Sequence, residues 1–250
     1  MQKCFYIGCA ACLHKSDKKY ICFENYAKMG DYLHILETEF RSRKNSLIAQ
    51  GQKAYMRDQF EYYGLKTEKR REIQRHFLSK EFLPEKPRGH AMIKTVWRKP
   101  QREFQLFAQE LAYKYAKQID KNDIALYEFM VIHKSWWDTV DFIAVHLMGS
   151  YFKKYPEARE VYVKKWLKSG NIWLQRSALL FQLKYKKELD TKMMGATIRF
   201  LLGSKEFFIN KAIGWILREY SKTNSQWVKL FAGQTKLHPL SKREALRLLR

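Results

Sequence analysis

The sequence predicts an all-α protein, a solenoid of stacked helix pairs. Three observations lead there. Beyond residue 31 there is almost no β-type alternation, apolar residues recur at helical spacing, and the chain repeats itself with a period of 35 residues. Glycine and proline, 11 and 5 in 250 residues, are too sparse to break helices except at a few turn signals.

The elements follow in order. DYLHILETEF (31–40) is the first helical stretch, and HAMIKTVWRK (90–99) pairs with REFQLFAQELAYKYAK (102–117). NDIALYEFMVIHK (122–134) precedes WDTVDFIAVHLMGS (137–150), and EAREVYVKKWLK (157–168) precedes IWLQRSALLFQLKY (172–185). TKMMGATIRFLL (191–202) and FFINKAIGWILREY (207–220) form the next pair. The turn signals YPEA, KSGN, LGS and HPLS mark helix ends. Shifting the chain by 35 places Thr139 on Leu174 and Ile209, Ile143 on Ala178 and Ile213, and His146 on Phe181 and Ile216. Tyr185 falls on Tyr115 and Tyr220. These offsets of 4, 7 and 11 trace one helix face, the predicted core stripe, so His146 reads as a buried core residue. Trp136, three residues before Thr139, joins it. The TPR signature is absent, so the repeats are of HEAT-like type, in which second helices commonly line a concave surface.

Charge says what that surface is for. The chain carries 48 Lys and Arg against 25 Asp and Glu, a net +23 spread along most of its length. Such a field attracts polyanions, chiefly nucleic acid, and a concave basic groove is expected. At 46% apolar residues, wholesale disorder is excluded. No stretch reaches the roughly 20 apolar residues of a membrane span, and CFYIGCAACLH (4–14) is too short and too polar-flanked for a signal peptide. A cytoplasmic protein is expected. Cys4, Cys9, Cys12 and Cys22 all lie near the start. Their spacing completes neither an iron–sulfur nor a zinc pattern, so no metal is expected. Residues 1–28 read as a poorly ordered extension, with Met29 as an alternative start, and residues 29–250 as the repeat domain.

SWWDTVDFIAVHL (135–147) places two carboxylates in one helix. Ser135 reads as its N-cap and Asp138, three residues on, as the acid of a capping box at the positive helix end. Asp141 has no such explanation. It lies about 200° round the helix from Thr139, with Trp137 one turn before it. One and two repeats later its position holds Arg176 and Lys211, and one turn beyond Lys211 stands Trp215. Trp137, Asp141, Arg176, Lys211 and Trp215 therefore share one face of three adjacent helices. The plain alternative is a surface ion pair between Asp141 and Arg176.

These residues carry a resemblance. SWWDTVDFIA, NIWLQRSALLFQLKYK, SKEFFINKAIGWILREYSKTN and LSKREA together resemble the AlkD family of HEAT-like-repeat DNA glycosylases, and KAYMRDQFEYYGLKTEKRR (53–71) is similar to that family's N-terminal segment. The resemblance runs from about Asp31 to Arg250. It implies excision of cationic alkylated purines, N3-methyladenine and N7-methylguanine, from duplex DNA, without flipping the base into a pocket. It implies Asp141 as the catalytic carboxylate, Trp137 and Trp215 beside the sugar of the lesion, Arg176 as a site arginine, and Tyr55 near the DNA. Arg176, Lys211 and Arg218 are expected to hold phosphates. The chemistry asks for no metal and no cofactor. A monomer acting on alkylated double-stranded DNA is the expectation, and a HEAT-like nucleic-acid-binding scaffold without catalysis is the alternative.

Overall fold

The computed structural model describes residues 29–249. The four cysteines and the proposed extension over 1–28 lie outside the described residues. Among those described, all regular structure is helical apart from one isolated parallel bridge between Glu61 and Gln101. No helix among them is long and apolar enough to cross a membrane. The chain divides into two compact units, one made of residues up to Arg88 with Pro100–Glu103, the other of Gly89–Lys99 with everything from Phe104 onward.

The first unit holds α1 (Met29–Ser42), α2 (Ser46–Tyr55) and α3 (Thr67–Gln74). Asn45 starts α2 by accepting from the backbone N–H of Ile48 at 3.0 Å, the usual relief for an orphan helical donor. Leu36, Phe40 and Phe77 are fully or almost fully buried. The loop after α2 returns through Tyr63, Gly64 and Leu65, whose backbone N–H groups all donate to the buried carboxylate of Glu103, at 3.0 to 3.2 Å. Gly64 has φ +87°, and a Cβ there would stand 2.0 Å from the carbonyl oxygen of Asn45, so only glycine fits.

The second unit is a succession of helix pairs. α4 (Lys86–Trp97), which enters it at Gly89, pairs with α5 (Arg102–Lys114), most of which belongs to it. α6 (Asp123–Ile132) pairs with one long helix assembled from α7 (Trp137–Phe142), a π-helical stretch (Ile143–Met148) and α8 (Gly149–Lys154). α9 (Arg159–Lys168) and α10 (Ile172–Leu180) follow, then α11 (Thr191–Phe200) with α12 (Phe207–Ser221), and α13 (Ser225–Gln234) with α14 (Pro239–Ala245). α10 packs on the α7 helix on one side and on α12 on the other, and α12 packs on α14. The period is visible in the bonds between pairs. Lys153 meets Glu188 and Asp141 meets Arg176, each 35 residues apart, and Tyr185 donates to the carbonyl of Gly149 at 2.6 Å, 36 apart.

The predicted stripe is the core. Thr139, Ile143, Leu174, Ala178, Phe181, Ile209, Ile213 and Ile216 are all buried, as are Tyr115, Tyr185 and Tyr220. His146 departs from it. It is half-buried, its ring against Phe142 and Tyr113, because the π stretch changes the phase of the helix at that point. Ser135 departs too. Trp136 is the residue that caps α7, with no side-chain cap bond, while the Ser135 hydroxyl donates backward to the carbonyl of Val131 at 2.6 Å. The capping box therefore does not form. Asp138 keeps its place in the first turn of the helix, where its charge favours the helix dipole.

Candidate active site

Asp141 stands at the fifth position of α7, four residues after Trp137, so both point from one side of the helix. Facing it, Arg176 rises from the middle of α10. The guanidinium Nε donates to Asp141 Oδ1 at 2.7 Å and Nη2 donates to Oδ2 at 2.8 Å, a bidentate fork. The third nitrogen, Nη1, donates to the backbone carbonyl of Phe208 at the start of α12. One arginine thus ties three helices together, and every one of its nitrogens is used inside the protein. Its exposure is only 3%, so Arg176 is placed to hold Asp141.

The Asp141 side chain is 15% exposed. Burial pushes its carboxyl above the ordinary aspartate range, the Arg176 pair pulls it back, and the nearby charge of Asp138 raises it slightly further. A carboxylate has about four acceptor positions, of which the fork occupies two. The exposed remainder can accept from water or face a developing positive charge. Aromatic rings support the pair from below. The Phe208 ring lies 5.9 Å from the Arg176 Cζ, with Trp173 at 5.0 Å and Trp136 at 5.3 Å from it, and Trp136 meets Trp173 at 5.7 Å. Trp136 is therefore half-buried in a ring cluster at the edge of the core, and this cluster fixes the base of the site.

Trp137 and Trp215 are both half-buried, the first at the start of α7, the second midway along α12. Lys211, Trp215 and Arg218 follow at spacings of four and three on α12, one face of that helix. Lys211 pairs with Glu244 of α14 at 3.0 Å, and Arg218 donates to the other oxygen of the same carboxylate. The two cations flanking Trp215 thus share one acid, while Lys211 stays 40% exposed. Tyr55 belongs to the first unit, at the last position of α2, and is 71% exposed. The structure brings Asp141 and Arg176 into direct contact, and sets Lys211, Trp215 and Arg218 on the next helix.

Sequence reasoning passed over two participants. Glu244 sits in the quoted stretch LSKREA, but nothing local says that it reaches back to α12. Phe208 acts through its carbonyl, which no side-chain pattern reveals; its ring lies one position before the stripe residue Ile209.

Comparison with known proteins adds an independent line. The family model described as DNA alkylation repair enzyme matches residues 36–249. The solved structure of a "predicted DNA alkylation repair enzyme" from Enterococcus faecalis is 30% identical to this chain, with a TM-score of 0.77, over 82% of this chain and 96% of that one. No curated protein matches the chain.

Proposed function

The chain belongs to the family of DNA alkylation repair enzymes, and from that premise we propose that it is a monofunctional DNA glycosylase acting on cationic alkylated purines in duplex DNA. One observation carries the reading: a largely buried carboxylate, Asp141, is fixed through both oxygens by a buried arginine, beside Trp137 on its own helix.

A purine methylated at N3 or N7 is already positively charged. It leaves as a neutral base and needs no general acid. The barrier lies in the sugar, which becomes an oxocarbenium-like cation as the N-glycosidic bond breaks. An anion held close to C1′ in a site poor in water stabilises that cation without having to reorganise. Arg176 supplies the preorganisation by locking both Asp141 oxygens, and the unused acceptor positions take the attacking water and receive its proton. Trp137 and Trp215 present electron-rich ring faces, which add about 1–2 kcal/mol each when the cation is desolvated. Lys211 and Arg218 are proposed to contact the DNA backbone within a basic groove formed by the second helices, and Tyr55 of the first unit is proposed as a separate DNA contact. The carboxylate of Glu244 sets the two cations of α12, and phosphate would compete with it for them.

The test is incubation with methylated duplex DNA followed by chromatography of released free bases. N3-methyladenine and N7-methylguanine should appear faster than from enzyme-free DNA. Binding without release would return the protein to the alternative, a scaffold that only holds DNA.

A further inference from the structure

Gly214 leaves a notch on α12 between Lys211 and Arg218, and Glu244 of α14 fills it. A Cβ on Gly214 would stand 2.5 Å from the Cβ of Glu244. Ser241, one turn before Glu244, donates its hydroxyl to the carbonyl of Asn210 at 2.8 Å and pins α14 against α12. The acid is therefore fixed, and any movement at this junction belongs to the cations.

The charges there are uneven. Lys211 stands 3.0 Å from one oxygen of Glu244, and Arg218 donates to the other. Two positive charges face one negative charge, so one cation can leave without stranding the largely buried carboxylate. The two are not equally placed to go. The Lys211 side chain is 40% exposed and that of Arg218 22%, whereas Glu244 is only 10% exposed. Neither cation has a further hydrogen-bond or ion-pair partner among the described residues. Lysine carries a compact ammonium on a flexible stem, whereas a planar guanidinium can hold a carboxylate and keep other N–H groups directed outward. Lys211 also does most to hold the Glu244 carboxyl below the ordinary range, so the pair is closed at neutral pH in the free protein.

We propose that Lys211 is an exchangeable cation. Glu244 holds it while no DNA is bound, a DNA phosphate then takes it over, and Arg218 stays behind to neutralise the acid. The contact is a swap of one anion for another. Its gain is the difference between two ion pairs rather than the whole of one, so undamaged DNA is held less tightly than a net charge of +23 alone implies. The inference rests on the reading above in taking the DNA backbone as the partner of α12, and adds to it an internal competitor that limits affinity.

A double-mutant cycle on affinity for undamaged duplex, at one sequence and one salt concentration, tests the exchange. Glu244→Gln should tighten binding by up to about fivefold, the scale of one ion pair. In a Lys211→Met background the same substitution should change affinity by less than about twofold, because the cation that it would free is gone. A bare effect of net charge predicts the same tightening in both backgrounds, and that additive result overturns the exchange. Weaker or unchanged binding by the single Glu244→Gln variant overturns it too. Glu244→Asp supplies a reading at constant net charge. Its carboxyl is drawn back by one methylene from Lys211, so binding should again tighten, and a folded variant with unchanged or weaker affinity counts against the proposal. Thermal melting followed by circular dichroism shows which variants are folded, and the Asp variant carries the test if the Gln variant is not. The two readings fail separately. Base release with an additive cycle removes the exchange and leaves the glycosylase, whereas a coupled cycle without base release does the reverse. No binding to duplex DNA removes both.

Discussion

Asp141 and Arg176 form a buried pair in which each partner has a different task, and single substitutions must be read with that in mind. Asp141→Asn removes the charge proposed to oppose the sugar cation, and the loss of such a preorganised interaction typically costs about 10²–10³ in rate. It also leaves Arg176 buried without a counter-charge, and breaking a buried pair in this way costs about 3–5 kcal/mol of stability. The double variant Asp141→Asn with Arg176→Gln separates the two effects. Calorimetry should show much of the stability recovered, while single-turnover base release, measured against enzyme-free DNA, stays low. Asp138→Asn should leave the rate at neutral pH unchanged and destabilise the start of α7 by at most about 1 kcal/mol. Acidity supplies a further check. In the proposed mechanism the ionised Asp141 is the active form, and burial raises its pKa, so activity should fall as pH drops through a midpoint above the usual aspartate value of about 4. Asp138 contributes to that rise, so Asp138→Asn should move the acid limb to lower pH. A profile flat to below pH 4 would remove Asp141 from the chemistry.

At the scale of helices, the junction of α12 with α14 holds Trp215 and its two cations in place. A Cβ on Gly214 would stand 2.5 Å from the Cβ of Glu244 and 3.0 Å from the carbonyl oxygen of Ser241, so the helices approach here at glycine distance. Gly214→Ala should therefore destabilise the protein by about 1–3 kcal/mol through overpacking, visible as a lowered Tm, although alanine is the better helix former. Lys211 foremost, with Arg218, holds the carboxyl of Glu244 below the usual range. A depressed folded-state pKa stabilises above the unfolded value and is lost as pH falls through the folded one, so this fastening persists through neutral pH and opens only in acid. Much of this arrangement could be read from the chain. Asp141 and Arg176 are one period apart, and equivalent positions of neighbouring repeats lie side by side, so their contact follows from the repeat itself. His146 could not be placed, because the π stretch is set by packing and breaks the periodicity on which the stripe was drawn. Nor could the loss of the Ser135 cap be foreseen, since the hydroxyl finds a carbonyl of the preceding helix that competes with the helix end.

For the whole molecule the governing quantity is charge. With a net +23, affinity for duplex DNA should be nearly independent of sequence and should fall steeply with salt, the log–log slope reporting about 0.9 per phosphate neutralised. A slope near zero would remove the electrostatic groove. The fold class was legible because helical periodicity and a 35-residue repeat reinforce one another over most of the chain. The division into two units was not, because it depends on which side chains close each core. The three helices around Arg176 carry one more implication. The acid comes from one repeat, its arginine from the next, and the carbonyl that takes the third nitrogen from the one after. Repeat arrays change length by gaining or losing whole units, and each unit touches only its neighbours. Here an inserted or deleted unit between Trp137 and Trp215 would separate groups that no single unit contains. Within that span the number of units is frozen.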